Sequence, residues 1–149
     1  MKGSRTIANE ELLDEVSRRL AEGKRVKLRA KGDSMRPFIR GGEDIIVLAP
    51  PPEHPRRGDI VLARCADDRR WVIHRVVGEK DGMIVLAGDG NLYGKELCRR
   101  DEVYGMAVAV ISRGKERSLR GGWEWRVWRG VRRVISGGWR VLRCFKRYI

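Results

Sequence analysis

The stretch KGDSMRPF, residues 31–38, places a serine where it could react as well as shape a turn. Gly32 and Asp33 let the chain bend closely ahead of Ser34, and Met35 and Pro37 follow at once. A serine exposed on such a turn can attack a carbonyl as a neighbouring base takes its proton, and backbone N–H groups of the turn can receive the oxyanion. The plain alternative is a turn serine, since Asp and Ser side chains also satisfy local backbone groups.

A base and an acid follow from one hairpin. Asp81-Gly82 is a strong two-residue turn signal between WVIHRVVGEK and MIVLAGDGN. With Lys80 opposite Met83, His74 falls opposite Asp89, and directly opposed residues carry Cβ atoms about 4.5–5.5 Å apart on one side of a sheet. A carboxylate there would fix the imidazole tautomer and favour the imidazolium formed when the other nitrogen takes a proton. The expected catalytic set is therefore Ser34, His74 and Asp89, with Gly32, Met35 and Pro37 shaping the loop and wall of a substrate cleft. Taken singly each has a plainer reading: His74 alternates with Val72 and Val76 as a core residue would, and Asp89 could be one more turn residue. The count depends on an unbroken register, because a slip of one residue changes every pairing.

The elements that must carry these residues are mostly strands. VKLRA (26–30), DIIVLA (44–49), DIVLAR (59–64), WVIHRVVG (71–78), MIVLAG (83–88) and VYGMAVAVI (103–111) are short runs rich in Val and Ile, separated by Gly41-Gly42, Pro50-Pro51-Pro52, Gly58-Asp59 and Asp81-Gly82. They predict a mostly β domain, a coiled sheet or small barrel, over 26–112. Ahead of it, within 1–25, Asn9 is expected to cap a short helix with Leu12, Leu13, Val16 and Leu20 on one face and Gly23 ending it.

The 149 residues suit one such domain with an appendage. The net charge of +13 is unevenly spread: residues 113–149 hold twelve Lys/Arg against Glu116 and Glu124, a net of +10, so the body is close to neutral. In this tail Trp123, Val127, Val131, Val134 and Ile135 fall on one helical face with Arg126, Arg129, Arg132 and Arg133 largely off it, and Trp139, Leu142 and Phe145 repeat the theme after Gly137-Gly138. Basic amphipathic helices of this kind, with Trp125 and Trp128 also present, suit the headgroup region of an anionic membrane ahead of docking on the body or a partner, and both ahead of nucleic acid. Cys65, Cys98 and Cys144 are odd in number and lack zinc spacing, which fits neither a disulfide framework nor a metal site. Without a secretion signal or a long apolar run, the chain is expected in the cytoplasm, with the tail able to bring it to a membrane.

The motifs also occur together in known proteins. G-D-S-M-R-P at 32–37, G-D-I-V at 58–61, H-R-V-V at 74–77, G-D-G-N at 88–91 and V-Y-G-M-A-V-A-V-I at 103–111 resemble, in order and spacing, the catalytic domain of type I signal peptidases and the related LexA-type peptidases. The resemblance covers residues 26–112 and implies Ser34 as nucleophile and His74 as general base. A histidine in place of the more usual lysine resembles the archaeal and endoplasmic-reticulum branch, which also uses the aspartate of G-D-N-N, here Asp89. That branch often carries another acid shortly after, for which Glu96 and Asp101 are the candidates here. An N-terminal transmembrane anchor, a helix-turn-helix and a scissile Ala-Gly are all missing from the pattern, so neither preprotein cleavage across a membrane nor repressor self-cleavage is expected. The resulting expectation is a serine endopeptidase that takes an extended peptide or protein substrate along a strand edge and needs no cofactor or metal. The alternative is a non-catalytic module with the same fold that binds a peptide, a membrane surface or nucleic acid.

Overall fold

The computed structural model describes residues 2–91, 94–119, 123–124 and 126–134, with side chains from residue 10 onward. Ile135, the second tail segment with Trp139, Leu142 and Phe145, and also Trp125 and Cys144, lie outside the described residues.

The six apolar runs become β1 (Val26–Arg29), β2 (Ile45–Ala49), β3 (Ile60–Arg64), β4 (Trp71–Lys80), β5 (Met83–Ala87) and β7 (Val103–Ser112), and with β6 (Glu96–Cys98) and β8 (Lys115–Ser118) they make one antiparallel sheet of eight strands among the described residues. Their order is β1-β2-β7-β3-β4-β5-β6. β2 pairs along one edge of β7, from Met106 to Ile111. The opposite edge is shared, with β3 taking Val103–Met106 and β8 taking Ala109–Ser112. This fork, with bulges in β2–β7, β3–β7 and β4–β5, curls the sheet into a half-barrel. The mostly β expectation is met. The sheet nevertheless runs to Ser118, past the expected boundary at 112, because the polar strand KERS pairs back on β7 across a turn at Arg113-Gly114.

β3 lies at the centre, with Ile60, Val61, Leu62 and Ala63 all buried. Its alternation divides the core in two. Ile60 and Leu62 join Val16, Leu20, Met35, Ile39 and Val110 on one side, whereas Val61 and Ala63 join Val72, Val76, Ile84, Leu86 and Cys98 on the other. The first side is closed by helix α1 (Lys2–Ala21), which begins well before Asn9. Its stripe holds only in part: Val16 and Leu20 are buried but Leu12 is 46% exposed. Gly23 ends the helix as expected, at φ +84°, with the Gly23 and Lys24 N–H groups donating to the Leu20 and Arg19 carbonyls. Residues 126–134 form a second helix, α2.

Candidate active site

The turn after β1 presents Ser34 at the surface while Met35 (5% exposed) and Ile39 (1%) anchor it in the core. Its backbone closes on itself through Arg36 N–H to the Asp33 carbonyl and Ile39 N–H to the Met35 carbonyl. A second loop clamps it from behind: Gly90 N–H donates to the Ser34 carbonyl at 2.8 Å. Gly88 in that loop approaches so closely that a Cβ there would lie 2.5 Å from the same carbonyl oxygen.

His74 projects from β4 beside this turn, buried at 7% exposure. Its Nε2 lies 3.1 Å from Ser34 Oγ, and its Nδ1 lies 2.5 Å from Oε2 of Glu96 on β6. An ionised carboxylate only accepts hydrogen bonds, so Glu96 assigns the proton to Nδ1 and leaves Nε2 as acceptor for the serine hydroxyl. The other Glu96 oxygen accepts from Arg70 at 3.0 Å, which fixes the carboxylate from its far side. Serine, imidazole and carboxylate thus form an unbroken relay.

Asp89 does not take the place expected of it. The hairpin begins as the sequence predicts, with Asp81 and Gly82 both at positive φ and Lys80 opposite Met83. A bulge between Val76 and Gly78 then shifts the register by one, so that Arg75 faces Ala87. A slip of one residue exchanges the faces of a strand, and Asp89, two residues beyond Ala87, comes to Arg75 in place of His74. Both its oxygens accept from the Arg75 guanidinium, at 2.8 and 2.6 Å, and the pair is almost wholly buried at 4% and 0% exposure. Asp89 therefore belongs to the frame of the Ser34 turn.

A cleft of about 470 Å³ opens beside Ser34, His74 and Glu96. Its walls are largely apolar, with Leu28, Ile46, Leu62 and Ile73 from the sheet and Leu13 from α1. Gly32 and Met35 line it, whereas Pro37 is exposed and outside the lining. Trp71 lies under the Arg64 guanidinium and against Tyr104, and Arg64 pairs with Glu10 and Asp14 of α1, tying the helix to the rim. Cys65 and Cys98 are buried free thiols; burial, together with the neighbouring Cys65, pushes the Cys98 thiol up to about 12, which suits packing and not nucleophilic chemistry.

Residues 4–110 match the Peptidase S24-like family model. The chain belongs to that family. The match spans strands β1 to β6, most of β7, and the Ser34, His74 and Glu96 positions, and is consistent with the LexA-like peptidase resemblance. No curated protein matches this S24-like chain in sequence. Among the described residues, no helix is long and apolar enough to cross a membrane. Sequence reasoning had not singled out Arg70 or Arg75 for this peptidase-family site, and had named Glu96 only as an alternative to Asp89.

Proposed function

We propose that the protein is a serine endopeptidase in which Ser34 is the nucleophile, His74 the general base and then acid, and Glu96 the group that orients His74. The observation that carries this reading is the relay from Ser34 Oγ through His74 to Glu96 at the mouth of an apolar cleft, within a peptidase-family fold. Ser34 Oγ attacks the scissile carbonyl while Nε2 takes its proton. The imidazolium is stabilised by Glu96, and backbone N–H groups of the Ser34 turn receive the oxyanion. Nε2 then returns the proton to the departing amine, leaving an acyl group on Ser34, and the same nitrogen activates the water that releases it. The substrate is an extended peptide running beside Trp71–His74 of β4, with an apolar side chain in the cleft.

The test is a serine-directed acylating or phosphonylating probe with peptide mapping, run beside a peptide-library digest. Labelling or cleavage that depends on Ser34 and is lost in Ser34→Ala and His74→Ala supports the proposal. An unreactive Ser34 with no Ser34-dependent cleavage would instead leave a peptide-binding module of the same fold.

A further inference from the structure

One face of the tail helix carries its contacts with Phe38, the 88–91 loop and Arg117. Trp128 Nε1–H donates to the Asp89 carbonyl at 3.0 Å, and its ring meets Phe38 edge-on with centroids 6.1 Å apart. Arg132 donates to the Asn91 carbonyl at 3.3 Å, and Glu124 pairs with Arg117. Residues 124, 128 and 132 are spaced by four and so define one face. The apolar stripe read from the sequence is the adjacent face, and it is turned outward: Trp123 is 64% exposed, Val127 58%, Val131 40% and Val134 75%. Arg126, Arg129 and Arg133 occupy the remaining side and are exposed.

We propose that this outward face binds the surface of an anionic lipid bilayer. A helix with valines and a tryptophan along one line and arginines beside it lies flat in the headgroup region, its apolar face in the acyl boundary and its cations at the phosphates. With four arginines among residues 126–134, this segment suits lying on a bilayer and not entering its hydrocarbon core. Charge decides between occupants. A second copy would bring two arginine-rich faces together, and nucleic acid would reward the arginines while leaving the apolar stripe in water. An anionic bilayer satisfies both. The loop that receives Trp128 and Arg132 also holds the Ser34 turn through Gly90, so one loop links the helix to that turn.

The test is co-sedimentation of the full chain with vesicles of phosphatidylglycerol and phosphatidylcholine, against vesicles of phosphatidylcholine alone, with tryptophan emission followed in parallel. Two double variants accompany it, Val127→Asp with Val131→Asp and Arg126→Glu with Arg129→Glu, neither of which alters Trp128 or Arg132. The expected result is binding to the anionic vesicles with a blue-shifted emission, weakened at least about tenfold in each variant, at an unchanged melting temperature. The proposal is overturned if the anionic vesicles are not bound, or if the Val127/Val131 variant binds as well as the parent. A lowered melting temperature in that variant would make the stripe part of the folded core, and a parent dimer that it dissociates would make the stripe a self-interface; either overturns the proposal. So would a duplex oligonucleotide that displaces the chain from vesicles and binds the Val127/Val131 variant undiminished.

Discussion

Glu96 Oε2 lies 2.5 Å from His74 Nδ1, although the two residues come from strands that do not pair with each other: β5 stands between β4 and β6. The contact forms at the end of the sheet, where β5 pairs with β4 only up to Arg75, so that His74 clears its neighbour and reaches the first residue of β6. Glu96→Gln can still meet Nδ1, but it can offer an N–H where the carboxylate only accepts and carries no charge to stabilise an imidazolium. We expect kcat to fall by about 10²- to 10⁴-fold with KM and melting temperature little changed. Steady-state kinetics on a peptide found in the library digest, with the pH profile of kcat/KM, check this; a variant that lost stability in place of kcat would assign Glu96 a purely structural role.

Asp89 predicts the opposite pattern. Removing it leaves the Arg75 charge buried at 4% exposure without its bidentate partner, and breaking such a pair costs about 3–5 kcal/mol. Asp89→Ala should therefore lower the denaturant midpoint strongly. Arg75→Met combined with Asp89→Leu, which removes both charges together, should recover much of that loss. A stable Asp89→Ala protein that had merely lost activity would return Asp89 to the relay.

Gly88→Ala tests the clamp behind Ser34. The added methyl would fall 2.5 Å from the Ser34 carbonyl oxygen, a backbone atom that cannot swing aside. The loop or the Ser34 turn must move, at a cost of about 1–3 kcal/mol. Because Ser34 Oγ meets Nε2 at 3.1 Å, a shift of that turn should depress kcat as well. Thermal unfolding and kinetics on the same preparation separate the two effects.

The sequence carried the parts of this site that obey period and turn chemistry. Six strands were legible as runs of Val and Ile, and the Asp81-Gly82 turn gave the start of the hairpin register correctly. It could not carry the bulge at Val77, because nothing in VVG distinguishes a continuous ladder from one with an extra residue, and with that residue Asp89 meets Arg75 while the carboxylate beside His74 is Glu96. β6 is only three residues long and β8 is KERS, so neither shows the alternation by which strands are recognised. In α2 the stripe of Trp123, Val127, Val131 and Val134 could be read, but not that Trp128 would bind the body and leave the stripe outside. The docking depends on a carbonyl of the 88–91 loop whose position only the folded sheet defines.

Asp44 supplies a pH dependence. It is 2% exposed, and burial acts to raise its carboxyl, but the Arg40 backbone N–H, the Ser112 hydroxyl and the Arg40 guanidinium outweigh burial and hold it below the usual 3.8. A folded-state value below the unfolded one means that the ionised network stabilises the fold fully above pH about 4 and loses that contribution as the pH falls through the depressed value. Asp44→Asn should cost about 1–3 kcal/mol at neutral pH, with a gap to the parent that narrows on acidification. Denaturant titrations of both proteins across that range measure it, and a gap that stayed constant with pH would show that the charge is not the source.

Trp128 is where the tail meets the frame of the site. Its ring packs edge-on against Phe38, which also lies beneath the Arg75 guanidinium at 5.5 Å, while its N–H binds the carbonyl of Asp89, the residue that Arg75 holds. Helix α2 therefore touches Asp89 directly, reaches Arg75 through Phe38 and, through the 88–91 loop, reaches the turn that carries Ser34. Trp128→Phe keeps most of the ring contact and deletes the hydrogen bond, a loss of about 1 kcal/mol; Trp128→Ala removes both and should cost about 2–4 kcal/mol. Hydrogen exchange locates the effect: faster exchange should be confined to residues 126–134 and 88–91 in the Phe variant and extend to the Ser34 turn in the Ala variant. If exchange rose in α2 alone and the Ser34 turn kept its protection in Trp128→Ala, the helix would be an appendage resting on the site without bracing it.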